Sequence, residues 1–196
     1  MEKDLVISSR KIVTTDMMVP QADGSESARK VEVILRTPNT PQSLRIIMAY
    51  TVMEAANQAF VSAMNEFETA KDKFYDKVVG PDGKTKSFRK ELSVAESSTL
   101  MEGEVASAIR AVEAAEVTLD SKRREFHRNC FSYIESIRSL ETKRPVLFDF
   151  SDEGPKSWDK MSADEKEILC TYDNTLAINP IFEVLRSGAS VEELGK

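Results

Sequence analysis

Large apolar residues recur every seven positions over residues 46–74. The series consists of Ile46, Met53, Phe60, Phe67 and Phe74. An alanine stands three positions after each of the first four. This a/d heptad pattern, with large residues at a and alanine at d, is typical of a long helix with a narrow apolar seam. We expect the helix to span residues 41–78, with Thr40 as its cap and Pro41 in its first turn.

A second heptad pattern begins after the turn signal Gly80-Pro81-Asp82-Gly83. Its seam consists of Val105, Ala108, Val112, Ala115 and Leu119. It predicts a second helix that begins at residues 88–91 and ends near residue 142, before a proline. The helix is weakest near Gly103, where the sequence is compatible with a break. Beyond Leu119 the pattern changes phase and continues as an apolar stripe over residues 126–140.

The two seams interlock when the chain folds back near Gly83. Phe60 then lies near Ala108 and Met53 near Ala115, so large residues on one helix meet small ones on the other. We therefore predict an antiparallel coiled-coil hairpin over residues 41–144. Its tip, residues 79–87, is expected to contain a small β-hairpin.

Shorter elements are predicted on both sides of the hairpin. Residues 4–14, 31–36 and 146–150 are rich in strand-forming residues, and we expect a small three-stranded β element from residues 1–40 and 145–151. Short helices are expected over 162–172 and 181–186, with a last turn over 190–194, in the C-terminal segment 152–196. The predicted fold class is mainly α.

Composition and charge narrow the function classes. The chain has 196 residues and a net charge of −6, which argues against nucleic acid as the main partner. No apolar run approaches the roughly 20 residues that span a bilayer, and the N-terminus has no signal-peptide core. We expect a protein of the cytoplasm or of an assembled particle, neither secreted nor transmembrane. The two cysteines, Cys130 and Cys170, have no paired spacing.

Candidate catalytic and metal-binding groups are sparse. His127 and Cys130 lie three apart on one helix face and could form half of a metal site, but Cys130 belongs to the apolar stripe. Asp149, Asp152 and Glu153 could bind a cation or act as acid and base. No glycine-rich phosphate loop, His-Glu-x-x-His motif or nucleophile elbow is present. We therefore assign no catalytic, cofactor-binding or metal residues and expect a protein that is not an enzyme.

Two features are candidate partner contacts. The first is a basic cluster on the second helix, formed by Lys122, Arg123, Arg124 and Arg128. It could bind phosphate of nucleic acid or lipid, or it could be a solvated helix face paired with Glu125, Asp120 and Glu116 at helical spacing. The second is Trp158, the only tryptophan, which could anchor a partner or cover the local core.

Apolar residues off the seam point to further contacts. Ile47, Tyr50, Val52 and Val61 are expected to pack on other helices, either of the C-terminal segment or of other subunits. The sequence therefore predicts a structural or assembly subunit, as in a virus or phage particle, with the hairpin as strut or docking arm. Its partners would be protein subunits, self or hetero, without a small-molecule substrate. The alternatives are a peripheral membrane- or nucleic-acid-binding module using residues 122–128, and a metal-dependent enzyme using residues 149–153.

Overall fold

The computed structural model describes residues 10–20, 26–79, 85–148, 154–169 and 176–187. Its fold is mixed α/β rather than mainly α, because a hairpin of two long helices is accompanied by a three-stranded antiparallel sheet. The strands are β1 (Arg10–Pro20), β2 (Glu26–Arg36), β3 (Tyr75–Val79), β4 (Thr85–Arg89), β5 (Ile134–Ser139), β6 (Leu147–Phe148) and β7 (Lys156–Ser157). The α-helices are α1 (Thr40–Asp72), α2 (Val94–Leu100), α3 (Ala106–Phe131), α4 (Ala163–Glu167) and α5 (Asn179–Arg186).

The chain divides into two compact units. Unit 1 comprises Met1–Thr51 and Arg123–Lys196, and unit 2 comprises Val52–Lys122. The three-stranded sheet, α4 and α5 belong to unit 1, whereas β3, β4 and α2 belong to unit 2.

The sheet of unit 1 has the strand order β1-β2-β5, with both pairs antiparallel. Alternate residues of β1 and β2 are buried, as a strand with one covered face requires. The buried set is Val13, Thr15, Met17, Val31, Val33 and Leu35. Both strands have eleven residues. Strand β1 continues past the predicted end at residue 14, and β2 begins before the predicted start at residue 31.

The third strand is not the predicted one. The second helix was expected to continue to residue 142, but α3 ends at Phe131 and Ile134–Ser139 forms β5. The backbone N–H of Arg36 donates to the carbonyl oxygen of Tyr133 at 2.9 Å, where β5 begins to pair with β2. Pairing with the open edge of β2 therefore decides the structure of these residues, against the helical spacing of the apolar stripe. The expected strand 146–150 instead contributes Leu147–Phe148 to a separate ladder with β7, and residues 149–150 lie outside the described ones.

Aromatic side chains fill the core of unit 1. Tyr50 stacks on Phe182 of α5 with ring centroids 4.5 Å apart, and it meets the edge of Phe126 at 5.5 Å. Helix α5 also buries Ile181 and Leu185. Tyr50 therefore packs on the C-terminal segment, as one of the two sequence-based alternatives proposed.

The hairpin of unit 2 has a β-ladder toward its tip. Helix α1 ends at Asp72, before the predicted residue 78, and β3 pairs antiparallel with β4. This confirms the β-hairpin expected there, while residues 80–84 lie outside the described ones. The second arm begins with α2, whose cap Ser93 forms a reciprocal capping box with Glu96. A π-helical turn, Met101–Val105, joins α2 to α3 around Gly103.

Two predicted helix starts have different outcomes. Ser162 caps α4 through a capping box with Glu165, as its spacing indicates. For α1, however, the side-chain cap is Asn39 rather than Thr40, since the N–H of Gln42 donates to Asn39 Oδ1 at 3.0 Å. Residues 170–175 and 188–196, which include the predicted last turn, lie outside the described ones.

Candidate interaction surface of the hairpin

Within unit 2, the seam of α1 buries its alanines more than its large residues. Ala56, Ala63 and Ala70 are buried, whereas Phe60 and Phe67 are half-buried. Small residues at the centre of the seam allow the two helix axes to approach closely. The two helices pack as a hairpin. The pairing of individual residues, such as Phe60 with Ala108, stays a prediction.

One ion pair bears on the alignment of the two arms. The predicted register places Glu104 opposite residue 64, but the ammonium group of Lys73 pairs with the Glu104 carboxylate, nearer the tip. In the heptads set by the two seams, Lys73 and Glu104 both occupy position g. Lys73 follows the end of α1 and Glu104 lies in the π-helical turn, so the ion pair joins the two arms near the tip.

The apolar core of unit 2 is thin. Among the described residues of this unit, the buried apolar side chains are Ala56, Ala63, Ala70, Val105 and Leu119. By contrast, Phe126, Trp158 and Phe182 are all buried in unit 1. Small cores of this kind stabilise a fold only marginally by themselves.

Large apolar side chains are exposed on the same unit. Val94 is 88% exposed and Val117 is 71% exposed. The other exposed large apolar residues of unit 2 that the structure describes are Val52, Val61, Tyr75, Met101 and Ile109. The hairpin thus leaves apolar area in solvent that a partner could cover.

The two flanks of the hairpin differ in charge. At heptad positions c and g, residues 52–62 of α1 and 107–121 of α3 form what we call the uncharged flank, where every residue is exposed and none is charged. It consists of Val52, Ala55, Ala59 and Ser62 on α1, with Ser107, Ala111, Ala114, Thr118 and Ser121 on α3. Positions b and e form the opposite flank, which is charged: it carries five carboxylates and two cations, Glu54, Glu68, Glu113, Glu116 and Asp120 with Lys71 and Arg123, and Lys71 pairs with Glu68. The sequence-based interpretation noted Val52 and Val61 but missed this segregation, which the c and g positions could have revealed.

A shallow groove of about 280 Å³ lies beyond the uncharged flank, toward the tip. Its lining consists of Ser62, Asn65, Glu66, Thr69, Ala70, Lys73 and Glu104. The two charges at its end, Lys73 and Glu104, pair with each other. The mostly polar lining of the groove therefore lies next to the uncharged flank.

Trp158, a candidate partner contact, belongs to the core of unit 1. Its side chain is 1% exposed, and its indole N–H donates to the carbonyl oxygen of Ile134 at 3.0 Å. The ammonium group of Lys166 lies 5.4 Å from the ring centroid. Of the two sequence-based alternatives, the structure supports the one in which Trp158 covers the local core.

The basic cluster is at least partly engaged within the chain. The guanidinium of Arg128 forms a two-pronged ion pair with Glu167, at 2.6 and 3.2 Å. Lys122, Arg123 and Arg124 lie on the same helix, and only Arg123 of these three is fully exposed. Arg128 is therefore paired, but with a carboxylate on α4 that the sequence-based alternative did not name.

Two of the candidate metal-binding residues lie in the core. His127 and Cys130 are buried, and burial raises the pKa of the Cys130 thiol to about 12, so the thiolate that metals prefer is disfavoured. Nowhere in the described part of the chain do three or more His, Cys, Asp or Glu side chains form a group that could hold a metal ion. Asp149, Asp152 and Glu153 lie outside the described residues.

Comparisons with known proteins identify no relative of this chain. No protein-family model matches this chain, and neither a curated protein nor a solved structure matches it. Within the described residues, no helix is both long and apolar enough to cross a membrane. The functional argument therefore depends on the geometry of the hairpin.

Proposed function

We propose that this protein is a non-enzymatic structural or assembly subunit, and that the hairpin of unit 2 is its docking arm. One observation carries the proposal: the exposed apolar residues of unit 2 surround a core made mostly of alanine. A partner subunit would supply the apolar area that the hairpin does not bury by itself. The partners are protein subunits, self or hetero.

The chemistry of the exposed residues favours a protein partner over a phosphate-bearing one. Val94 and Val117 offer apolar area but no charge, whereas nucleic acids and anionic lipids are bound chiefly by Lys and Arg. The alternative of a phosphate-binding face at residues 122–128 is weakened by the ion pair between Arg128 and Glu167.

Site-specific photo-crosslinking in the cells that produce the protein tests the docking arm. A photoreactive amino acid replaces Val117 on the hairpin in one variant and Leu147 of unit 1, which is 62% exposed, in a matched control. We expect a discrete crosslinked protein, identified by mass spectrometry, from position 117 and none from position 147. Equal labelling at both positions, or no protein adduct at 117, would overturn the proposal.

A further inference from the structure

Two arginines and a tyrosine meet at the turn between α3 and β5, in unit 1. Arg36, the last residue of β2, donates from Nη2 to the carbonyl oxygen of Ser132 at 2.7 Å, and its backbone N–H donates to the carbonyl oxygen of Tyr133. Burial raises the pKa of the Tyr133 hydroxyl, and the positive charges of Arg36 and Arg45 oppose that shift, so both guanidiniums lie near the hydroxyl. Arg45 belongs to the second turn of α1. We call Arg36, Arg45 and Tyr133 the arginine cluster.

The positive charge of the arginine cluster has no carboxylate beside it to balance it. The direct partner of Arg36 across the ladder of β1 and β2 is another arginine, Arg10. Arg10 pairs with Glu135 at 2.8 Å, whereas no carboxylate among the described residues forms an ion pair with Arg36 or Arg45. The first turn of α1, where the helix dipole is positive, contains no acidic residue. Because like charges directly opposite each other destabilise a sheet, an anion bound here would offset a repulsion.

We propose that the arginine cluster binds a dianionic phosphate group, as carried by a phosphate monoester. Two guanidiniums without a carboxylate partner in the described part of the chain match the two negative charges of this group, whereas a carboxylate ligand would match one. A guanidinium also presents a planar fork of N–H donors that fits two phosphate oxygens. The site belongs to unit 1 and is therefore independent of the docking arm proposed for unit 2.

Each residue of the cluster has a separate role in binding. The hydrogen bond to Ser132 holds the guanidinium of Arg36 in place before a ligand arrives, which lowers the entropic cost of binding. Arg45 is exposed and has no hydrogen bond within the described residues, so its guanidinium can turn toward a phosphate oxygen. Tyr133 is half-buried and its pKa is raised, so its hydroxyl remains protonated at neutral pH and can donate to the phosphate.

Two exposed helical arginines provide a matched test with methyl phosphate as the ligand. Arg45→Gln removes a guanidinium from the cluster, and Arg110→Gln removes one from α3, where Arg110 also has no ion pair within the described residues. We expect Arg45→Gln to raise the dissociation constant at least ~10-fold and Arg110→Gln to leave it nearly unchanged. Isothermal titration calorimetry at constant ionic strength measures both constants, and circular dichroism checks that each variant keeps its helices.

A second ligand separates monoesters from the diesters of nucleic acids and phospholipids. Dimethyl phosphate carries one negative charge and stands for a diester. We expect it to bind wild type at least ~10-fold more weakly than methyl phosphate does, because one of the two guanidinium charges would stay unmatched. Tyr133→Phe, which removes only the hydroxyl, should weaken methyl phosphate binding less than Arg45→Gln does.

The outcomes separate this inference from the proposed function. If wild type gives no saturable binding of methyl phosphate, or binds dimethyl phosphate equally well, the cluster is not a site for a phosphate monoester. Equal weakening by Arg45→Gln and Arg110→Gln would show non-specific attraction to positive charge and would overturn the site as well. None of these results changes the crosslinking expected at position 117, so the docking arm is tested separately.

Discussion

At the scale of single residues, the best-defined polar cluster lies on the sheet of unit 1. Glu32 on β2 accepts hydrogen bonds at 2.6 Å from Arg138 Nε on β5 and at 2.6 Å from Lys143 Nζ. Glu32 and Arg138 are direct cross-strand partners in the register of the sheet. The hydrogen bonds from Lys143 and Arg138 lower the pKa of Glu32 below its ordinary value of 4.5. The Glu32 carboxylate therefore stabilises the pairing of β5 with β2.

This cluster predicts a specific pH dependence of stability. Because the pKa of Glu32 is lower in the folded state, its contribution is fully present above the ordinary pKa of 4.5 and is lost as pH falls through the lowered value. We expect Glu32→Gln to lower the urea midpoint of unfolding at neutral pH, and the difference from wild type to shrink as the solution is acidified. Glu183→Gln, which breaks an exposed ion pair with Arg186, is the control and should change the midpoint little. A difference that stays constant from neutral to acid pH would contradict the assignment.

At the scale of elements, two short-range sequence signals agree with the structure, and one longer expectation does not. The seven-residue spacing from Ile46 to Phe74 predicts α1, and the capping box at Ser162 predicts α4. The exception is residues 134–139, whose apolar spacing predicts a helix but which form the strand β5. Ile134 and Ile137 are both buried and lie three apart, which is a helical spacing, and a strand turns both to one face only with a register shift such as the one found here. Local periodicity could not decide between them, because the deciding partner was the distant edge of β2.

The π-helical turn between α2 and α3 allows a prediction about two glycines. At Gly103, an added Cβ would meet nothing within 4 Å, whereas Gly154 has a φ of +85°, in the left-handed region. We expect Gly103→Ala to stabilise the protein by about 0.4–1 kcal/mol, since alanine restricts the unfolded chain without strain. Gly154→Ala should destabilise it by about 1–2 kcal/mol. Guanidinium denaturation measures the free energy of unfolding of both variants. A Gly103→Ala variant less stable than wild type would contradict the finding that an added Cβ has room at Gly103.

At the scale of the whole molecule, the two units differ in how they are stabilised. Unit 1 has a sheet with one covered face and an aromatic cluster that includes Phe126, Phe182 and Trp158. Unit 2 has an alanine-rich seam and exposed valines. Regions with few buried apolar contacts open more readily than the rest of a protein. The stability of unit 2 is therefore the property that a partner would change most.

Hydrogen exchange should reveal this difference. At low protein concentration, we expect the amides of residues 107–121 in α3 to exchange faster than those of β2, because less apolar area secures them. Mass spectrometry of peptides from both regions measures the rates. Slow exchange over 107–121 at all concentrations would show that the hairpin is stable without a partner.

The sequence by itself determined the hairpin, because heptad spacing and the β-hairpin at its tip depend on residues near one another in the chain. The tertiary structure decided the mixed α/β fold, the burial of Trp158 and the third strand of the sheet. These outcomes depend on contacts between distant residues, such as the pairing of Val33 with Ile137 and the hydrogen bond from Trp158 to Ile134. A strand needs a partner edge and a buried indole needs an acceptor, and neither is encoded in the spacing of neighbouring residues.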